Sequence, residues 1–231
     1  MTADDLPAAF ASLPMAWRAR LPGWNELSQA TLVQAIRAAS GAKQIAPSDP
    51  FRALRLLSPD DVRVVVFGQD PYPGAGHADG LAFSAPASTR PSLRRIFDVL
   101  EADRPGWKRP TSGRLDAWAR QGVLLLNPSL TVETGRKNSH TEVGWQALTA
   151  GIVFALLELP APPVFLLWGS QAQTFMAQAL AVGARSRGPA PKVLQARHPS
   201  NDFNREFMAQ GSHFAATAHL VDWWAPGQGG R

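Results

Sequence analysis

The sequence predicts an α/β fold, a single domain in which a central four-stranded, mainly parallel twisted sheet is flanked by helices. Four short apolar runs carry the first argument: Val64-Val65-Val66-Phe67, Val123-Leu124-Leu125-Leu126, Val164-Phe165-Leu166-Leu167-Trp168, and Lys192 to Ala196. The first three show no polar alternation, as expected of strands covered on both faces. Segments with helical spacing lie between the runs, which is the alternation of a helix-covered parallel sheet. Finally, each run ends at a distinct polar group: Gln69-Asp70, Asn127, Ser170 and His198. Strand C-termini of a parallel sheet share one edge, so these four groups should converge.

Taken in order, residues 1–24 are rich in Ala and Pro without a clear period and read as an irregular N-terminal arm. Residues 25–225 read as one domain and 226–231 as a flexible tail. From Asn25 to Ala39, Leu27, Leu32, Val33 and Ile36 recur at roughly helical spacing, and Ser40-Gly41 ends the segment. A short helix follows around Phe51 to Leu57, and Ser58-Pro59-Asp60-Asp61 turns the chain into the first strand. Leu93, Ile96, Phe97 and Leu100 keep the i, i+3, i+4, i+7 spacing of a helix buried on one side, with Pro91-Ser92 at its entrance. Leu115, Trp118 and Ala119 mark a further short helix before the second strand. A polar loop to His140 leads to a helix with Trp145, Leu148, Ile152 and Leu156 facing inward. After the third strand, Ser170 with Gln173 three residues on gives a capping-box signal.

Composition narrows the chemistry. The 231 residues suffice for one domain with a proper core, and 45% of them are hydrophobic. With no cysteine, disulfides, thiolate zinc sites and cysteine nucleophiles are excluded. A reducing cytoplasm is compatible with that composition, and cytoplasmic localisation is expected. The first residues show no basic segment followed by an apolar one, and Glu158, Pro160, Pro162 and Pro163 break the longest apolar stretch, so no signal peptide or membrane span is expected. A net charge of +5 leans toward a polyanionic partner. His77 with Asp79 reads as a solvated loop pair rather than a metal site, and no metal or other cofactor is expected.

The loop after the first strand, Gly68-Gln69-Asp70-Pro71-Tyr72-Pro73-Gly74-Ala75-Gly76-His77-Ala78-Asp79-Gly80-Leu81-Ala82-Phe83-Ser84, resembles the water-activating motif of family 1 uracil-DNA glycosylases. Residues 115–127 resemble that family's base-reading segment, Leu166-Leu167-Trp168-Gly169-Ser170 its Gly-Ser loop that contacts DNA, and His198-Pro199-Ser200 the start of its last motif. The resemblance runs in order over roughly residues 45–200 and implies a monofunctional hydrolase, acting as a monomer, that removes uracil from single- or double-stranded DNA. Asp70 would then stabilise an oxocarbenium-like sugar and orient the attacking water, and a neutral His198 would donate to O2 of the leaving uracil. Asn127 would accept from uracil N3-H and donate to O4, a pattern that cytosine reverses. Phe83 would supply the stacking face, Tyr72 the wall beside C5 that excludes thymine's methyl, and Gln69 further donors near O2. Pro91, Ser92, Gly169, Ser170, Pro199 and Ser200 would follow the DNA backbone.

By position alone Asn127 also reads as a cap before Pro128, Phe83 as ordinary core, and the serines as helix caps. One departure is plain. Where the family continues His-Pro-Ser with Pro-Leu and wedges that leucine into the duplex, this chain has Asn201-Asp202-Phe203. A carboxylate at the wedge position meets phosphate repulsion and a desolvation cost. Either Phe203 intercalates instead, or the protein prefers uracil in single-stranded or frayed DNA. A mismatch-type glycosylase, a DNA- or uracil-binding module without turnover and a flavodoxin-like nucleotide binder are the competing readings.

Overall fold

The computed structural model describes residues 1–182, 190–202 and 204–225. In chain order the helices and strands are α1 (Leu6–Ala11), α2 (Met15–Arg18), α3 (Glu26–Ser40), β1 (Ile45–Ala46), α4 (Arg52–Leu56), β2 (Val64–Phe67), α5 (Pro91–Asp103), α6 (Asp116–Ala119), β3 (Val123–Leu126), β4 (Val132–Glu133), α7 (Trp145–Leu157), β5 (Val164–Trp168), α8 (Ser170–Val182), β6 (Val193–Ala196) and α9 (His213–Thr217). The main sheet has the order β3-β2-β5-β6, and its three pairings are all parallel. Every residue of β2, β3 and β5 is buried, whereas β6, at the edge, is half-exposed. That difference explains why three strands are unbroken apolar runs and the fourth admits Gln195.

Register decides where the site lies. Phe67 stands opposite both Leu126 and Leu167, and Trp168 opposite Ala196, so the four strands end nearly flush. The polar groups that follow them therefore leave the sheet along one edge, as expected. No helix among the described residues is long and apolar enough to cross a membrane.

Residues 1–24 are not an irregular arm. A 3-10 turn at Ala3–Asp5 leads into α1 and α2, and Leu6, Phe10, Leu13 and Trp17 are buried. Burial of side chains this size is worth roughly 1.5–3 kcal/mol each, which orders helices too short to show a period in sequence. Trp17 Nε1 donates to Leu57 O at 2.8 Å, and Phe10 packs edge-on to Trp24 and Trp145. The tail 226–231 lies outside the described residues. A second, two-stranded antiparallel sheet pairs β1 with β4, too short on each side to be visible as a pattern. The expected capping box at Ser170 does not form either. The helix begins at Ser170 itself, and the Gln173 amide donates across to Ala196 O at 3.1 Å, tying α8 to the end of β6.

Two histidines are built into this frame. His140 is buried between Ser40 Oγ at 2.7 Å from Nε2 and Thr131 Oγ1 at 2.8 Å from Nδ1, while Trp145 Nε1 donates to the same threonine oxygen at 2.7 Å. His213 Nδ1 accepts from Trp168 Nε1 at 3.1 Å. Burial pushes both imidazoles down to about 4 from the ordinary 6.5. An unfolded chain protonates these rings below about 6.5, but the folded one does not until near 4. Their contribution to stability is therefore complete above 6.5 and lost as pH falls through about 4. Urea unfolding should show ΔG dropping across that window, and His140→Gln should flatten the dependence by about 1.4 kcal/mol per pH unit, whatever it does to stability at pH 7.

Candidate active site

Gly68, the first residue beyond β2, is needed for close approach. Its N–H donates to Leu126 O at 3.0 Å, and a Cβ placed on it would lie 2.2 Å from Asn127 Oδ1 and 3.0 Å from Ala82 Cβ. The backbone after β2 is thus pressed against the carboxamide after β3. Asn127, only 9% exposed, has no room to swing toward the sheet.

The two residues that follow are held from across the edge. The Asn138 N–H donates to Asp70 Oδ2 at 2.8 Å, and Gln69 Nε2 donates to Asn138 Oδ1 at 3.0 Å. Asn138 has φ +60°, in the left-handed region that Asn tolerates better than most residues. Sequence reasoning missed Asn138; its only signal is an Asn in a polar loop. Burial raises the Asp70 pKa, opposed by the Asn138 hydrogen bond and the positive charge of Lys137.

Asp70, Pro71, Tyr72, Phe83 and Asn127 line one pocket, floored by Leu125 and Leu126. The Tyr72 hydroxyl donates to Phe83 O at 3.4 Å, and burial raises its pKa, so the ring stays a neutral wall. The Arg90 guanidinium lies over that ring, 5.7 Å from its centre. Phe83 has φ +65°, a conformation that costs a bulky residue roughly 1–3 kcal/mol. The surroundings hold it there: its ring lies 5.4 Å from Trp168 and 6.0 Å from His198, centre to centre.

Asp79, just upstream, is not a solvated loop residue. It pairs with Arg52 Nη1 at 2.8 Å and accepts from Ser84 Oγ at 2.8 Å and Leu81 N at 3.2 Å, while Arg52 also pairs with Asp116. His77 is only partly exposed, and its Nδ1 is turned in against Gly74, without a hydrogen-bond partner among the described residues. Asp79 is scaffolding for the stretch that carries Phe83.

His198 reaches the site from the end of β6. Its Nδ1 accepts from the Ser200 N–H at 3.1 Å and lies 2.8 Å from Ser200 Oγ. A ring nitrogen that accepts a backbone N–H carries no proton, so the neutral tautomer has its proton on Nε2. Burial, helped by Lys137, pushes the pKa down to about 4, which keeps that neutral form. Gly169, with φ +102°, makes room for the ring, because a Cβ there would come within 2.8 Å of His198 Cβ.

The expected backbone-contact residues differ in exposure. Pro91 is exposed at the first position of α5, but Ser92 beside it is 8% exposed. Ser170 is exposed at the start of α8, and Pro199 and Ser200 form the 3-10 turn Pro199–Asn201 after His198. Gln69, Asn138 and Ser170 share a broad polar groove next to the pocket. Phe203 lies outside the described residues. Asp202 does not point outward as a wedge would: its side chain is 3% exposed and is ion-paired with Arg95.

A pocket with an aromatic side chain, a carboxamide and a carboxylate in its lining, and a neutral imidazole against its phenylalanine, defines a nucleobase-binding α/β protein equipped for acid–base or electrostatic catalysis. A family model described as the uracil DNA glycosylase superfamily matches residues 55–221. The chain is 45% identical over 206 residues to the uracil-DNA glycosylase of Bordetella parapertussis strain 12822, covering 84% of this chain and 76% of that protein. To the Ralstonia pickettii strain 12J uracil-DNA glycosylase it is 45% identical over 246 residues, covering 96% and 89%. Among solved structures, the mimivirus uracil-DNA glycosylase superposes with a TM-score of 0.70 at 22% identity, covering 85% of this chain and 74% of that one. The Nitratifractor salsuginis UNG superposes with a TM-score of 0.59 at 20% identity, covering 87% and 90%. These two show the shared fold. The chain belongs to the uracil DNA glycosylase superfamily.

Because Gly68 lacks the space for a methyl group, Gly68→Ala should drive the Asn127 carboxamide from its place. The expected result is a shift of the Asn127 side-chain amide resonances with a loss of about 1–3 kcal/mol in urea unfolding. Gly23→Ala, with nothing within 4 Å of the added carbon, serves as the control and should leave both unchanged.

Proposed function

We propose that this protein excises uracil from DNA by hydrolysing the N-glycosidic bond, leaving an abasic site and free uracil. The observation that carries the mechanism is the fixed tautomer of His198. With Nδ1 occupied by the Ser200 N–H, the Nε2 proton is available beside Phe83, where a stacked base would lie. A neutral donor suits uracil O2, which gains negative charge as the bond from N1 to the sugar breaks and its electron pair leaves with the base.

Asp70 takes the sugar side. As a carboxylate it stabilises positive charge on the deoxyribose and receives the proton of the water that adds to C1′. Asn127 reads the base by accepting from N3-H and donating to O4, and the contact with Gly68 opposes the rotation that would let it accept cytosine. A buried mispairing of this sort costs roughly 1–3 kcal/mol. Tyr72, between Pro71 and Pro73, bars a methyl at C5. Gln69, restrained by Asn138, places its amide near O2. No metal or other cofactor enters these steps.

Pro91, Ser92, Gly169, Ser170, Pro199 and Ser200 lie along the DNA backbone in this reading, with the buried Ser92 acting through its position at the start of α5. The functional unit is one domain that includes the packed residues 1–24, acting as a monomer, and its place of action is the cytoplasm. An extrahelical base is required, at a cost of a few kcal/mol in duplex DNA. The inward orientation of Asp202 favours substrates in which the uracil is already unstacked, unless Phe203 inserts in its place.

The deciding experiment is release of free uracil from a single-stranded oligonucleotide with one deoxyuridine, in EDTA. Wild type should release it rapidly and Asp70→Asn at least about a hundredfold more slowly; no release by wild type would overturn the assignment. Rates on U·G and U·A duplexes should fall below the single-strand rate. Duplex rates that equal the single-strand rate and survive Phe203→Ala would refute both accounts of the altered loop.

A further inference from the structure

Asp202 closes the turn that holds His198, and its side chain is directed into the protein. Of its two carboxylate oxygens, Oδ2 pairs with Arg95 Nε from α5, and Oδ1 accepts from the Phe207 N–H at 2.7 Å. Arg95 continues to the same segment through Nη2, which donates to Arg205 O at 3.5 Å, while its Nη1 lies 4.0 Å from Asp98 Oδ2 on its own helix. A single side chain from α5 thus fastens both ends of residues 202–205. At its upstream end this segment is continuous with the turn Pro199–Asn201, whose Ser200 N–H sets the His198 tautomer.

We propose that Arg95 and Asp202 are positioning residues for catalysis: their ion pair braces the Pro199–Asn201 turn against α5, so that the Ser200 N–H stays on His198 Nδ1 and the donor proton stays on Nε2. The proposal rests on the uracil-excision reading only for its kinetic arm. Stability alone is a poor explanation of the pair, because a buried ion pair returns little more than its desolvation cost. What it supplies is a fixed separation between α5 and the turn. The same pair joins α5, which begins at Pro91-Ser92, to the end of the turn Pro199–Asn201.

A consequence distinguishes bracing from mere support. An N–H aimed at Nδ1 opposes protonation there, so a turn released from α5 lets the imidazole take a proton more easily. The charged groups around it are known: Lys137 acts on His198 from the loop before α7, Asp98 and Arg109 form a surface pair on the far side of Arg95, and Arg197 pairs with Glu206 at 2.6 Å beside the turn. None of these changes in Arg95→Met or Asp202→Asn, and the control below alters Arg109 alone.

The test compares Arg95→Met, which keeps the apolar stem, and Asp202→Asn, which keeps an acceptor for the Phe207 N–H, with wild type and with Arg109→Ala as a surface control on the same network. Nitrogen-15 spectra of the histidine rings report the tautomer without any substrate. In wild type and the control, His198 should show Nε2-H alone, whereas both variants should show a mixture with Nδ1-H. On the single-stranded deoxyuridine substrate, kcat should fall by about ten- to a hundredfold with KM changed less than threefold, and the His198 titration should move from about 4 toward 6.5. Wild-type tautomer, titration and kcat in a folded Asp202→Asn would overturn the proposal, as would losses that track melting temperature alone. Should Arg95→Met not fold, Asp202→Asn decides. A wild type that releases no uracil would sink the functional reading, while the ring spectra would still decide on the brace.

Discussion

Flush termination of the parallel strands is the constraint on which the site depends. Because β2 is paired on both sides in register, Phe67 with Leu126 and with Leu167, the chain exits β2, β3 and β5 within one residue of the same level. A one-residue slip would turn each buried side chain to the opposite face, and the closely packed side chains on both faces would have to repack. Gln69, Asp70 and Asn127 are brought together by that register, although tens of residues separate β2 from β3 in the chain.

Close packing at this edge then does two chemical things at once. Burial keeps His198 neutral, and the same burial works against ionisation of Asp70; Lys137 favours the neutral imidazole and the charged carboxylate together. The site therefore separates its two titrating groups by environment, with one exposed cation assisting both. Strain is stored nearby in Phe83, whose left-handed backbone is held by Tyr72, by the Trp168 ring and by the Arg52–Asp79–Ser84 contacts beneath it. Strain of this kind persists only where neighbouring contacts over-determine the conformation. Here they belong to elements as far apart as α4 and β5.

Buried polar groups recur outside the pocket in the same role. His140 joins α3, the β4 region and α7 through Ser40, Thr131 and Trp145, and Asp202 joins α5 to the turn after β6. In each case the cost of burying a polar group is offset by complete pairing, and the result is a loop fixed in direction. The altered loop after His198 is accordingly a braced segment. Its carboxylate, which would be repelled at the surface of a duplex, is spent internally.

The sequence by itself determined the four strands, the order of the helices between them and the edge at which their polar ends meet. Strands covered on both faces must be apolar throughout, and Gly-Gln-Asp-Pro-Tyr, Asn127 and His198-Pro199-Ser200 sit where those runs stop, so both were legible locally. Short helices in residues 1–24 and the two-residue strands β1 and β4 were not, because no periodicity develops over two to six residues. Only the tertiary structure decided the partners of Asp79, Asp116 and Asp202. Arg52 lies 27 and 64 residues from the first two, and Arg95 lies 107 from the third. An ion pair leaves no local trace in either strand or helix pattern; whether a carboxylate faces water, DNA or an arginine is settled by which element packs beside it.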